Sequence, residues 1–394
     1  MLLSLALIFI LGIVLGGIFS RLKIPSILGM LVSGIILGPY ALNLISPKIL
    51  DISAELRQIA LIIILTRAGL ALDINSLKKV GKSAVLMCFV PATFEMLAFI
   101  LIAPHILGIN IIESAIMGAV MSAVSPAVIV PRMLKLIDEK VGTKKGIPQL
   151  IMAGASVDDI FVIVLFTAFL SMAEGGSFSP AVLLSIPISI LTGVFVGVVV
   201  GLFIEKIFRC IHIRDSVKVL LILSVSFIFT EAQSFIENYV AFSGLLAVMS
   251  LSGTIYFKNK VLAKRLSDKF NRLWVGGEIL LFVLVGASVN ISYAISSGLG
   301  VVLVILIALV FRTFGVLISV SGSNLNIKEK LFCMIAYMPK ATVQAGIGSI
   351  PLSMGLACGN IVLTGAIMAI LITAPLGAVL IDCNYKKLLL SDKK

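Results

Sequence analysis

The sequence predicts an all-α polytopic membrane protein, and three observations lead to that class. Sixty per cent of the 394 residues are hydrophobic and only 13% are charged, while the mean hydropathy is +1.19. Long apolar windows alternate with short charged or Pro/Gly-rich segments, a pattern typical of helices that cross a bilayer. The basic residues are concentrated in alternate connections. No soluble domain of this length has such a composition, so we expect a membrane protein that is not an enzyme.

Thirteen apolar windows are long enough to be predicted spans, numbered 1 to 13 in chain order. Residues 1–20 lack a basic start and a small-residue cleavage site, so they are assigned to span 1 rather than to a signal peptide. The predicted spans cover residues 2–20, 24–41, 56–74, 83–104, 112–134, 147–172, 178–204, 217–236, 239–257, 273–294, 297–320, 331–354 and 358–381.

The net charge of +12 follows the predicted topology. Connections after odd-numbered spans and the C-terminal tail, with the adjoining span ends, hold 26 of the 31 lysines and arginines. By the positive-inside rule, the N-terminus lies outside and the C-terminus in the cytoplasm. We therefore expect a multi-pass protein of the cell (plasma) membrane that contacts lipid and binds no nucleic acid. The five scattered cysteines have no metal-binding or disulfide spacing, so no cofactor is expected.

The two halves of the chain resemble each other when spans 1–6 are aligned with spans 8–13. Residues 1–172 form repeat 1, residues 173–215 a linker with span 7, and residues 216–394 repeat 2. An odd number of spans separates equivalent positions, so the two six-helix repeats are inverted, a pattern typical of secondary transporters with a site near the midplane. The aligned pairs are Gly34 with Gly244, Gly69 with Gly286, Glu95 with Arg312, and Pro126 with Pro339.

Spans 5 and 12 are predicted to be discontinuous crossing helices. Pro126 cannot donate to the Ser122 carbonyl, and Pro339 cannot donate to the Ile335 carbonyl. Polar backbone is thereby released at membrane depth, where only protein or a water-filled cavity can satisfy it. Ordinary proline kinks are the alternative, and the paired positions in both repeats favour the discontinuous form.

Asp158 and Asp159 lie in the apolar run of span 6 and are the candidate ion-binding and proton-carrying residues. A carboxylate inside a membrane helix costs about 2.5–3.5 kcal/mol on insertion scales, so it is usually retained for function. Adjacent helix positions point about 100° apart, so one aspartate can face a cavity while the other meets a different helix. Oxygen ligands suit a hard alkali cation, and freed carbonyls around Ser125 are candidates to complete its shell.

Three further charged residues lie in predicted spans: Glu95, Arg312 and Lys340. Glu95 and Arg312 occupy equivalent repeat positions. An ion pair between them is the arrangement that costs the least free energy for two charges in hydrocarbon. Lys340 follows Pro339 directly, so it is predicted to neutralise the carbonyl ends of the helix break and Asp158. With both aspartates ionised, the five charges sum to −1, which one monovalent cation or one proton neutralises. This count predicts electroneutral exchange provided that Lys340 stays charged.

The motifs SAVSPAVIVPRML, KKGIPQLIMAGASVDDIFVI and YMPKATVQAGIGS resemble those of NHA-type sodium/proton antiporters. These belong to the monovalent cation:proton antiporter-2 superfamily, and the resemblance covers essentially the whole chain. It implies the NhaA/NapA-like fold and exchange of Na⁺ or Li⁺ for H⁺ in a homodimer. The family's ion-binding aspartates fall on Asp158 and Asp159, with Asp159 as the main ligand, and its core ion pair falls on Glu95 and Arg312. Better-known members have a lysine where this chain has Arg312, so their lysine-based proton count does not carry over.

The resemblance also implies elevator-like alternating access. A core domain from spans 3–6 and 10–13 would move against a dimerisation domain from spans 1, 2, 7, 8 and 9. Other classes remain open at this point: a Kef-like K⁺/H⁺ exchanger or K⁺ efflux channel, and a sodium-coupled solute symporter of the same fold.

Overall fold

The computed structural model describes residues 1–22, 24–71, 81–174, 180–211, 213–236, 240–288 and 291–390. Within these ranges the regular structure is helical and there is no β-strand. The helices, numbered in chain order, are α1 Leu2–Arg21, α2 Ser26–Leu37, α3 Pro47–Asp51, α4 Ser53–Ala71, α5 Lys82–Met87, α6 Val90–Leu107, α7 Ile111–Ser122, α8 Pro126–Glu139, α9 Ile147–Ala173, α10 Pro180–Cys210, α11 Asp215–Ile236, α12 Gly244–Lys258, α13 Lys260–Ala287, α14 Ile291–Ser321, α15 Ile327–Ala336, α16 Thr342–Ile347, α17 Ile350–Ser353 and α18 Gly359–Leu388.

Several of these helices match the lengths expected of bilayer crossings. In the described part of the chain, six segments are long and apolar enough to cross a membrane: Leu2–Arg21, Lys82–Leu107, Leu191–Cys210, Lys260–Ala287, Gly298–Ser321 and Gly359–Leu388. Four shorter helical segments are also apolar. The predicted class, an all-helical membrane protein, is therefore confirmed.

Three predicted spans are interrupted in the structure. The window 83–104 becomes α5 and α6, 112–134 becomes α7 and α8, and 331–354 becomes α15, α16 and α17. α6, α8 and α17 each carry a proline in the first turn, where its missing N–H leaves no helical bond unmade. These prolines therefore restart a helix rather than bend a continuous one.

α13 begins well before the predicted span 10, which was placed at 273–294. The helix starts at Lys260, inside a segment that the sequence assigns to a basic connection. Leu262, Leu266 and Phe270 recur at helical spacing and are buried. This amphipathic stripe extends the helix, because an apolar face can pack inward while the lysines stay on the opposite face. The many charged residues of this segment lower its hydropathy, so the apolar stripe was not recognised from the hydropathy pattern.

By internal packing the chain separates into two units. The first comprises Met1–Ala54, Asn75–Ala173 and Phe282–Lys394, and the second comprises Glu55–Ile74 and Glu174–Leu281. In the first unit, α6 packs against α7 and α14, while α18 packs against α14 and α15. In the second, α12 packs against α10 and α11. Packing within one chain does not decide which helices move together, so the predicted core and dimerisation domains stay predictions.

A buried apolar cluster in the first unit holds α9 against its neighbours. Ile129 of α8, Ile151 of α9 and Phe332 of α15 are members of this cluster, and each is fully buried. Ile381 of α18 joins them. The helix that carries Asp158 and Asp159 is thereby packed beside α8 and α15, which belong to the interrupted spans 5 and 12.

Candidate ion-binding site

The two helix breaks meet in the first unit. The first break, residues 123–125, separates α7 from α8, and the second, residues 337–341, separates α15 from α16. The Ser125 backbone N–H donates to the Pro339 carbonyl at 2.8 Å. The Gln344 side-chain amide donates to the carbonyls of Val120 and Ala123, at 3.0 and 2.9 Å. Polar backbone released from one helix is therefore satisfied by the other, as the paired prolines predict.

The guanidinium of Arg312 donates hydrogen bonds to backbone carbonyls at both breaks. Its Nε donates to the Tyr337 carbonyl at 2.6 Å, and its Nη1 donates to the Ser122 carbonyl. Ser122 is the residue whose carbonyl receives no helical hydrogen bond from Pro126, which has no N–H. The planar guanidinium, with five N–H groups in a fixed arrangement, reaches both breaks at once.

Glu95 is bound by two cations. Its Oε2 accepts from Arg312 Nη1 at 2.8 Å, so the pair expected from the repeat alignment is present. Lys340 Nζ lies 2.8 Å from the same oxygen and 2.7 Å from Oε1. All three residues are fully buried. The direct ion pair of the Lys340 ammonium is therefore with Glu95, because both carboxylate oxygens of Glu95 face it, and no salt bridge joins Lys340 to Asp158 in the described part of the chain.

Asp158 and Asp159 differ in their contacts. Asp158 Oδ2 accepts from the Val124 backbone N–H at 2.9 Å and from Arg312 Nη2 at 3.1 Å. Asp158 is fully buried, whereas Asp159 retains 8% exposure. No charged partner lies within salt-bridge distance of Asp159 among the described residues. Asp158 is thus part of the fixed network, and Asp159 is the carboxylate left to bind something else.

Several buried oxygens around the breaks have no hydrogen-bond partner in the described part of the chain. Such atoms are rare in proteins, and each requires an explanation. Carboxylate, hydroxyl and amide oxygens of this kind are ligands that a hard alkali cation accepts. The atoms are Ser125 Oγ, Asp158 Oδ1, Asp159 Oδ1, Thr342 Oγ1 and Gln344 Oε1.

Three of the residues at the breaks were not anticipated from the sequence. Thr342 and Gln344 lie in α16, and Thr373 Oγ1 of α18 accepts the Lys340 backbone N–H at 2.9 Å. Neutral polar side chains are inexpensive in a membrane helix compared with charges. The only available signal was their position, two and four residues after Lys340 for the first two.

Two glycines allow the second break to approach its neighbours. A Cβ on Gly154 of α9 would lie 2.0 Å from the Tyr337 hydroxyl, and one on Gly377 of α18 would lie 2.4 Å from Pro339 Cγ. The Tyr337 hydroxyl also lies 3.3 Å from the Met87 carbonyl. The break is therefore held from two sides by helices that lack side chains at the points of contact.

Interrupted helices that cross beside buried carboxylates, within an apolar helical protein, define a secondary transporter of cations. A family model described as "Sodium/hydrogen exchanger, transmembrane" matches residues 5–382. The chain belongs to the sodium/hydrogen exchanger family.

Similar proteins include sodium/hydrogen exchanger 9B2 of Xenopus tropicalis, which is 34% identical over 98% of this chain and 74% of its own length. The human 9B2 protein is 34% identical over 93% of this chain and 70% of its own length. Human sodium/hydrogen exchanger 9B1 is 32% identical, with coverages of 98% and 78%. The relatives thus match nearly all of this chain.

A solved structure shares the fold. The sodium proton antiporter MjNhaP1 from Methanocaldococcus jannaschii, at pH 8, superposes with a TM-score of 0.83 over 98% of this chain and 97% of that one. The sequence identity is 22%, so this likeness concerns the fold alone.

Proposed function

We propose that this protein exchanges Na⁺ or Li⁺ for H⁺, with the alkali ion and the proton competing for Asp159. One observation carries the proposal: the other four charged residues of the site pair with one another. Arg312 contacts Glu95 and Asp158, and Lys340 contacts Glu95. Among the described carboxylates of the site, Asp159 has no cation within salt-bridge distance, so we assign the remaining negative charge of the count to it.

The exchange cycle follows from this surplus charge. An uncompensated charge crosses low-dielectric surroundings with difficulty. A site loaded with either Na⁺ or H⁺ at Asp159 is neutral and can change its access, whereas the empty site cannot. The same carboxylate cannot hold both ions, which couples the movement of one to that of the other. No further cofactor is required.

The change of site access between the two sides of the membrane is proposed to be elevator-like. The protein is proposed to be a homodimer in which each chain has thirteen spans and two inverted repeats. Two features support the repeat. The capping box of Asn110 and Glu113 at α7 has a counterpart in Asn326 and Glu329 at α15. These boxes begin equivalent interrupted helices, 216 positions apart.

The aligned glycines give the second support for the repeat. A Cβ on Gly69 would lie 2.6 Å from the Met249 carbonyl, and one on Gly286 would lie 2.2 Å from the Leu31 carbonyl. Each glycine therefore packs against backbone of the opposite repeat. We place the protein in the plasma membrane, N-terminus outside, where it would contribute to sodium and pH homeostasis.

Transport by purified protein in proteoliposomes tests the assignment. Asp159→Asn is expected to abolish Na⁺-dependent proton movement, because the neutral amide can neither attract the cation nor carry the proton. Asp158→Asn is expected to weaken apparent Na⁺ affinity and stability together, since it also loosens Arg312. Asp268→Asn, at an exposed position of α13, is the matched control and should transport normally. Full exchange by Asp159→Asn would overturn the proposal.

A panel of Li⁺, Na⁺ and K⁺ in the same assay separates the alternatives. A Kef-like exchanger would prefer K⁺, a channel would show unitary currents in bilayers, and a symporter would need an organic solute. None of these is favoured by the family to which the chain belongs.

A further inference from the structure

A second polar site lies in the first unit, in a cavity of about 750 Å³. Three chain segments line it: the start of α5, residues 143–150 at the start of α9, and residues 322–325 between α14 and α15. All three belong to connections, or ends of connections, that the charge pattern places in the cytoplasm. The cavity is separate from the aspartates, the helix breaks and the ion pairs described above.

The lining of this cavity is basic. Lys82, Lys144 and Lys145 contribute ammonium groups, and none of the described lining residues is acidic. Lys82 and Lys144 are exposed, and no carboxylate of the described residues lies within salt-bridge distance of Lys82. Glu329 lies behind Lys145, is 2% exposed, and is bound by Lys145 at 2.8 Å. Its charge therefore offsets Lys145, and the ammonium of Lys82 has no compensating carboxylate among the described residues.

Neutral hydrogen-bonding groups accompany the lysines. The residues that line the same space include three with a hydroxyl, Ser83, Thr143 and Ser323, and two with a side-chain amide, Asn324 and Gln149. The long helix α9 starts at this cavity, and the positive end of its dipole adds to the potential there. Clustered ammonium groups, hydroxyl donors and a helix start are the chemistry that recognises phosphate.

We propose that this cavity binds an organic phosphate, either as the headgroup of an anionic phospholipid or as a free phosphate ester. The volume exceeds what an inorganic ion needs and is in the range of pockets for small organic ligands. Binding would join the start of α9, which carries the aspartates further along, to the connection that precedes α15. The inference does not depend on the ion exchanged.

Thermal unfolding of the full-length protein tests the proposal with two probes of matched chemistry. The soluble probe is inositol trisphosphate, added to protein in neutral detergent. The membrane probe is a phosphatidylcholine nanodisc containing about 5 mol% phosphatidylinositol bisphosphate. Saturable stabilisation by both probes indicates a site for free and lipid-borne phosphate, and stabilisation only in nanodiscs indicates a lipid headgroup site. Either result supports the proposal.

The double variant Lys82→Gln/Lys144→Gln is expected to weaken the apparent affinity at least about tenfold. The control Lys264→Gln/Lys387→Gln removes the same charge from exposed positions on the same predicted membrane side and should bind as the wild type does. Both variants should retain basal Na⁺-dependent exchange, which checks their folding. Equal weakening in both variants, or no saturable stabilisation of the wild type by either probe, would overturn the proposal.

Discussion

At the scale of single residues, Arg312 connects parts of the site that lie far apart in the sequence. Its guanidinium contacts Glu95, Asp158 and the carbonyls of both helix breaks. A lysine has three donors on one atom and cannot span this set. The arginine at this position therefore determines which carboxylates and backbone carbonyls of the site are held together.

Glu95→Gln is predicted to destabilise the protein more than it alters apparent Na⁺ affinity. The substitution removes the only anion that Lys340 contacts in the described structure and one of two that Arg312 contacts. Breaking a buried ion network in this way costs about 3–5 kcal/mol. Thermal unfolding with and without Na⁺ measures both quantities on one sample.

Glu205→Gln provides the comparison for this change. Glu205 pairs with Arg209 one turn away on α10, and the Arg209 side chain is 66% exposed, so water can replace the lost partner. Its unfolding temperature should fall far less than that of Glu95→Gln. A large loss of Na⁺ affinity with normal stability in Glu95→Gln would make Glu95 a direct ligand.

The sequence predicted the charged members of the site but not all of their contacts. The pairing of Glu95 with Arg312 followed from the repeat alignment, since unlike charges at equivalent positions point to a shared location. The partner of Lys340 did not follow, because residues in a helix break have no fixed periodicity that directs a side chain. Gln344 escaped notice because a neutral amide adds little to the hydropathy pattern.

At the scale of helices, close approaches depend on positions without a side chain. α13 contains two glycines in different surroundings. A Cβ on Gly286 would overlap the Leu31 carbonyl of α2, whereas a Cβ on Gly276 would meet nothing within 4 Å. Since backbone cannot rotate away as a side chain can, the first position tolerates no methyl group without separating the helices.

Gly286→Ala is therefore predicted to destabilise the protein by about 1–3 kcal/mol, because α2 and α13 must move apart. Gly276→Ala, in the same helix, should leave stability unchanged or raise it by up to about 1 kcal/mol, the helix-propensity gain. Unfolding temperatures of the two variants in one detergent give the comparison. Equal effects of the two changes would mean that the contact with Leu31 contributes nothing.

Helix boundaries were predictable where the apolar window and the helix coincide. Span 6, at 147–172, corresponds closely to α9, because its flanks contain glycine and charged residues that end the pattern. The window 83–104 reads as continuous, since apolar composition does not reveal its break, whereas Pro126 and Pro339 predicted the breaks in spans 5 and 12. Only tertiary contacts, such as the hydrogen bond from Ser125 to Pro339, make such breaks stable.

At the scale of the whole molecule, the charge balance of the site predicts how transport responds to voltage. The described site holds three carboxylates and two cations. Exchange of one Na⁺ for one H⁺ then moves no net charge. Initial rates of exchange in proteoliposomes should be the same with and without a potassium diffusion potential, once the counter-ion is controlled.

A clear voltage effect would contradict the electroneutral scheme in one specific way. It would mean that Lys340 also releases its proton when Na⁺ binds, which adds a second proton to the cycle. Lys340→Arg keeps the charge and cannot release a proton at neutral pH. If this variant folds and loses the voltage effect, Lys340 is the source of the second proton.

The single hydrogen bond between Ser125 and Pro339 has a consequence for biosynthesis. The first partner leaves the ribosome roughly 200 residues before the second, a delay of about 10–40 s at ordinary elongation rates. During that interval the nascent first half holds unmet amide and carbonyl groups in the bilayer. A chain whose translation stops after residue 172 should accordingly be recognised and degraded, even though every helix in it has been inserted.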